Sequence, residues 1–180
     1  PQMHKAYRKT TLADLLSHRS FLPPFTAGTD AMPWYGCDWG GTACRMEFSR
    51  QAVQLAPIKA EKGKKYAYSN AGYVVASAML ERVGADLGFE NLMELYANQN
   101  TRANFKTGWP KQTDDNGARG HLGSDSLSPA HENLYRLGPV YAAAGNMNGS
   151  LYDQAALLQQ LLLALSHQHP ELSRMEAEML

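Results

Sequence analysis

Gly63-Lys64-Lys65-Tyr66-Ala67-Tyr68-Ser69-Asn70-Ala71-Gly72-Tyr73-Val74-Val75-Ala76-Ser77-Ala78-Met79-Leu80-Glu81-Arg82-Val83 reads as a polar turn that opens into a helix. Asn70 is a residue type that caps helices, and Tyr73, Val74, Ala76, Ala78, Met79, Leu80 and Val83 follow it before Gly84. The segment is apolar nearly all round until Glu81-Arg82, so it predicts a buried central helix. Tyr68-Ser69-Asn70 stands at the junction of turn and helix. A tyrosine phenol, with a pKa of about 10, is a poor base alone, but lysine ammonium groups beside it favour its ionised form. The turn carries Lys59, Lys62, Lys64 and Lys65, read either as a solvated loop or as a site for an anion. The Asn70 amide both donates and accepts, which suits it to grip a substrate amide. The plainer reading of the same residues is a helix cap at Asn70 and a half-buried aromatic at Tyr68.

Working outward, Thr11 with Asp14 three residues on is a capping-box pattern, and Leu12, Leu15 and Leu16 share one helical face. Pro23-Pro24 is expected to stop that helix. Residues 23–45 read as a long irregular loop pinned by Trp34, Tyr35 and Trp39. Residues 46–57 predict a short helix ending at Pro57, and 89–98 an amphipathic helix with Phe89, Leu92, Leu95 and Tyr96 inward. Residues 100–138 are rich in turn formers and predict a second irregular stretch. Ser150 and Asp153 form another capping box, opening a helix that carries Leu151, Leu158, Leu161, Leu162 and Leu165; Pro170 starts a last short one. No run alternates convincingly as a strand.

Composition narrows the function classes. The 180 residues carry 17 Lys+Arg against 17 Asp+Glu, a balance that leaves no general basic face for nucleic acid. No apolar run approaches about 18 residues, so no membrane-spanning helix is expected. His131-Glu132 lacks the second histidine of His-Glu-x-x-His, with Tyr135 in its place, and no metal or other cofactor is expected. A Gly-Lys-Ser/Thr phosphate loop and Gly-x-Ser-x-Gly are absent. Cys37 and Cys44 bracket a loop with two glycines, open to two readings: a small disulfide or two thiols.

Three segments carry a resemblance. Tyr68-Ser69-Asn70, followed by Gly72-Tyr73, resembles the Tyr-x-Asn segment of the serine β-lactamase-like family, which includes class C β-lactamases, D-Ala-D-Ala carboxypeptidases and related esterases. Thr11-Leu12-Ala13-Asp14-Leu15-Leu16-Ser17-His18-Arg19-Ser20 is similar to its "T-L-x-x-L-L-x-H-x-S-G" segment, with Phe21 where the family has Gly. Ala144-Gly145-Asn146-Met147-Asn148-Gly149-Ser150-Leu151-Tyr152-Asp153 is similar to its "A-G-G-x-x-x-S-x-x-D" segment, with Asn146 in place of the second Gly. The three lie in the family's order and span about residues 10–165.

The resemblance implies a mainly α chain with long irregular loops, residues 1–180 forming the helical lobe of a β-lactamase/transpeptidase-like α+β fold. It implies a serine hydrolase acting on amide, lactam or ester bonds of a small molecule or peptide through an acyl-enzyme. Tyr68 is then the catalytic proton-transfer residue and Asn70 a substrate-binding residue. His18 reads as a buried, hydrogen-bonded structural residue, and Ser150 with Asp153 as a cap. No serine here has lysine three residues on, so the nucleophile is expected outside this chain. Lys106-Thr107-Gly108 and His121-Leu122-Gly123 match the family's closing strings but precede Ala144, and read as coincidences in a loop. The opening Pro1-Gln2-Met3 reads as a cut into a longer protein. A lobe without its partner would expose an apolar face and self-associate through it. The family, with Cys37 and Cys44, points to a periplasmic or secreted setting. The alternative is a non-catalytic binding module derived from that fold.

Overall fold

The structure, a computed structural model, describes residues 3–26, 37, 41–84, 87–107, 121–126, 138–145 and 147–165. Helix α1 (Leu12–Leu16) lies beside the start of α3 (Asn70–Val83), and α2 (Gly41–Ala52) packs along α3. Ala71 and Val74 of α3 are wholly buried, as its apolar sequence requires. Around them Leu15, Leu22, Phe25, Phe48 and Tyr141 form the core, with the Phe48 ring edge-on to both Phe25 and Tyr141 at 4.8 and 5.7 Å. Burying a side chain such as Phe48 contributes about 1.5–3 kcal/mol. The last turn of α3 departs from the expected pattern. Met79 and Leu80 are half exposed and Val83 more so, while Glu81 is wholly buried.

Local chemistry sets the boundaries. Thr11 and Asp14 close the expected capping box, but α1 ends at Leu16 rather than running to Pro23. His18 turns left-handed there, and the Arg19 and Ser20 N–H groups both donate to the Asp14 carbonyl. Helix α2 begins at Gly41 and ends at Ala52, five residues earlier at each end than the expected 46–57. Cys37 and Cys44 are bridged, with Cα atoms 6.1 Å apart, and this ties the first turn of α2. Trp34, Tyr35 and Trp39 lie outside the described residues, as does everything from 166 on, Pro170 included.

Helix α4 (Phe89–Leu92) buries Phe89 and Leu92 as expected, then widens into a π-helix at Met93–Asn98 before a last α turn, α5 (Gln99–Thr101). The wider winding moves later residues off the inward face, and Leu95 is 39% exposed rather than inward. The region expected to be irregular holds short strands. β1 (Lys106–Thr107) pairs antiparallel with β4 (Met147–Asn148), and β2 (His121–Leu122) with β3 (Asp125–Ser126). The Lys106-Thr107 and His121-Leu122 pairs are therefore strands rather than loop, Gly108 lying outside the described residues. A 3-10 turn at Pro139–Tyr141 leads into α6 (Ala142–Gly145), which packs on α3. Helix α7 (Leu151–Leu165) starts at the expected Ser150/Asp153 box, and Asp153 also accepts the Asn104 N–H at 2.7 Å. Leu151, Leu158 and Leu162 of α7 are more than half exposed. No helix among the described residues is long and apolar enough to cross a membrane.

Candidate active site

The start of α3 is where the sequence placed the chemistry, and two chain segments are laced together there. Residues 16–25 run beside residues 67–73. Ala67 N–H donates to the His18 carbonyl at 2.9 Å, and Asn70 N–H to the Pro24 carbonyl at 2.9 Å. Ser69 N–H donates to His18 Nδ1 at 3.2 Å, and Ser69 Oγ to the Pro23 carbonyl at 2.8 Å. Asn70 Nδ2 donates to the Phe25 carbonyl at 3.0 Å, and the Tyr73 hydroxyl to the Leu16 carbonyl at 2.9 Å. The segments meet closely because Gly72 has no side chain: a Cβ there would stand 2.7 Å from the Leu15 carbonyl oxygen.

This lacing holds a strained path. His18, Phe21 and Phe25 all have positive φ, at 59, 58 and 46°. Each such turn costs a non-glycine residue about 1–2 kcal/mol, so it persists only where the surroundings fix it. Phe21 stands where the resembled motif has glycine, and its backbone takes the glycine-favouring conformation. Its carbonyl accepts the Ile58 N–H at 2.9 Å.

Within this frame Tyr68 and Asn70 differ. The Tyr68 side chain is 54% exposed, and its hydroxyl has no hydrogen-bond partner among the described residues. Asn70 is buried, and it is the first residue of α3 rather than its cap. Ser69 holds the cap position, its hydroxyl turned to Pro23 instead of to the helix N–H groups. Asn70 spends one amide N–H on the Phe25 carbonyl, so its side chain clamps the neighbouring loop. His18 is half-buried rather than buried, with its Nδ1 hydrogen-bonded as expected.

Tyr68 also borders an open groove of about 520 Å³ lined by Ile58, Lys59, Glu61, Lys64, Tyr66 and Ala67. Two of the expected lysines, Lys59 and Lys64, line this groove together with Tyr68. Lys64 Nζ pairs with Glu61 at 2.6 Å and stands 5.9 Å from the centre of the Tyr66 ring. The hydrogen bond that Lys64 donates to Glu61, the Glu61 charge and then the Tyr66 phenol raise the Lys64 pKa, and the lysine in turn lowers that of Glu61.

A second polar cluster, unmarked by any local motif, sits at the other end of α3. Arg45 is wholly buried; its Nε donates to Glu81 Oε1 at 2.9 Å, and its two terminal nitrogens reach Glu90 at 2.9 and 2.8 Å. Arg45 also donates to the Pro139 carbonyl at 2.8 Å, and Glu81 Oε1 accepts from Thr42 Oγ1 and Phe89 N–H. These contacts join α2, α3, α4 and the 3-10 turn before α6. They occupy the arginine donors and look inward, which is the pattern of a structural tie. Among the described residues no group of His, Cys, Asp and Glu could hold a metal ion.

Comparison with known proteins bears on this geometry. The sequence profile of one family, described as Beta-lactamase, matches residues 2–180. No curated protein matches the chain. Among solved structures, a D-stereospecific amidohydrolase from Streptomyces sp. is similar in fold, with a TM-score of 0.56 at 19% sequence identity. The match covers 87% of this chain and 48% of the amidohydrolase, so the chain spans about half the length of that protein.

Proposed function

The chain belongs to the β-lactamase family, and we propose that it supplies the helical lobe of a serine hydrolase that opens amide, lactam or ester carbonyls through an acyl-enzyme. In this reading the nucleophile is a Ser-x-x-Lys serine outside these 180 residues. Tyr68 takes the proton of that serine as it attacks, and returns a proton to the leaving group as the acyl-enzyme forms. The carrying observation is the contrast within three consecutive residues. Ser69 and Asn70 are buried and held, whereas the Tyr68 hydroxyl, without a partner among the described residues, borders a groove with room for a small molecule or peptide. Lys59 and Lys64 line the same groove, and the role of Tyr68 rests on its position among them. An asparagine amide has two N–H donors and a carbonyl oxygen, so Asn70 keeps groups for a substrate after Phe25 has taken one donor. The Cys37–Cys44 bridge fits a periplasmic or secreted setting.

The test uses the protein that carries a Ser-x-x-Lys serine together with these residues. It is incubated in turn with p-nitrophenyl acetate, a chromogenic cephalosporin and a D-alanine p-nitroanilide, and its intact mass is followed. The expected result is turnover of at least one probe and one acyl group per chain on that serine. No adduct and no turnover with any of them would contradict the reading in favour of a non-catalytic module.

A further inference from the structure

We infer that His18 is a positioning residue that acts through Tyr68, its imidazole setting where the phenol stands. The inference rests on the proton-transfer role proposed for Tyr68.

The residues on both sides of Tyr68 are hydrogen-bonded to His18. Ala67 N–H donates to its carbonyl at 2.9 Å and Ser69 N–H to its Nδ1 at 3.2 Å. The Tyr68 ring lies on the imidazole, with centroids 4.4 Å apart and planes at 37°. Backbone carbonyl, ring nitrogen and ring face of one histidine therefore hold Ala67, Ser69 and the Tyr68 ring between them. No other ring contact to Tyr68 is present among the described residues. A side chain more than half in water has little else to fix its torsions.

The histidine is itself held. Tyr73 approaches the imidazole at 5.3 Å and is anchored by its hydroxyl to the Leu16 carbonyl at 2.9 Å. The contacts run from that anchored phenol through the imidazole to the Tyr68 ring. The left-handed turn at His18, which ends α1 with the Arg19 and Ser20 N–H groups on the Asp14 carbonyl, fixes the backbone from which the imidazole projects. Accepting from Ser69 requires Nδ1 to be unprotonated, so the neutral ring carries its hydrogen on Nε2. Reacting groups must be held within about 0.5 Å of the productive geometry, and a displacement of about 1 Å can cost 100-fold in rate.

The experiment is a double-mutant cycle in the protein that carries the Ser-x-x-Lys serine, with p-nitrophenyl acetate as probe. His18→Asn keeps an acceptor and a residue type that tolerates positive φ, but removes the ring. It is expected to lower kcat by about 10- to 100-fold with KM changed by less than about threefold. In the Tyr68→Phe background the same change should cost less than about twofold, because the hydroxyl it positions is gone. An unchanged kcat in His18→Asn, or the same loss in both backgrounds, would overturn the inference and leave the tyrosine's role standing. Wild-type turnover in Tyr68→Phe would overturn both. A measurement on the unsubstituted protein guards against variants that do not fold. Nitrogen-15 NMR should show His18 Nδ1 as the unprotonated nitrogen, with a nuclear Overhauser contact to the Tyr68 ring. The opposite tautomer, or no such contact, would overturn the inference.

Discussion

The two ends of α3 handle polar groups in opposite ways. At its C-terminal end Arg45 and Glu81 are removed from water altogether and tied to Glu90, Thr42, Phe89 and Pro139. At its N-terminal end Ser69 and Asn70 hold backbone carbonyls of a second segment, and Tyr68 just before them is more than half exposed, its hydroxyl without a partner among the described residues. A buried charge whose donors are all occupied holds helices in place but is not free to exchange protons with a substrate. A free hydroxyl on a fixed frame can. On the proposed reading one helix serves both needs: rigidity from the cluster, and chemistry from the end that Tyr68 precedes.

The comparison can be broken from either side, and the largest stability effect is expected at the cluster. Arg45→Ala leaves Glu81 buried without its main partner and should destabilise the protein by about 3–5 kcal/mol. The urea midpoint measures this; a change near zero would show that the cluster is not the tie described. At the other end Asn70→Ala leaves the Phe25 carbonyl buried without its side-chain donor, a smaller loss of about 1–3 kcal/mol. Turnover should fall with it, and an unaltered melting curve would mean that the loop holds without the clamp.

The smallest effect expected is on pH. Asp14 and Asp153 both have lowered pKa values, chiefly from the hydroxyls of Thr11 and Ser150 in their capping boxes. A carboxyl with a lowered folded-state pKa lends stability that is fully present above the ordinary aspartate range and is lost as pH falls through the lowered value. Thermal melts should therefore decline on acidification, and Ser150→Ala should flatten the part of that decline due to Asp153. Identical acid profiles for parent and variant would contradict this.

What the sequence disclosed and what it hid follow from the range of the interactions. The Thr11/Asp14 and Ser150/Asp153 boxes were legible because each is closed by residues three apart. Tyr68 and Asn70 were legible as a pair by resemblance, yet the clamp on Phe25 was not, since its partners lie 45 residues apart. Glu81 looked like the polar end of an apolar helix, and nothing local marked it for the core; its partner Arg45 lies 36 residues away. The β1–β4 pairing escaped notice because two-residue strands show no alternation. The π-helix at Met93–Asn98 likewise leaves the pattern of apolar residues intact while moving the face they present. His18 reads as structural in the sequence, and its ring contact with Tyr68, 50 residues away, comes only from the lacing of two distant segments.

The central claim is that the N-terminal end of α3 carries chemistry on a frame that does not depend on the reacting hydroxyl. Its most direct test is Tyr68→Phe, which keeps the ring against His18 and removes only the phenolic oxygen. In the protein that carries the Ser-x-x-Lys serine, kcat should fall by about 10²–10⁴-fold, the span of a general acid–base group, with the melting temperature near that of the parent. Near-normal turnover with a lowered melting temperature would contradict the claim and make Tyr68 a structural residue.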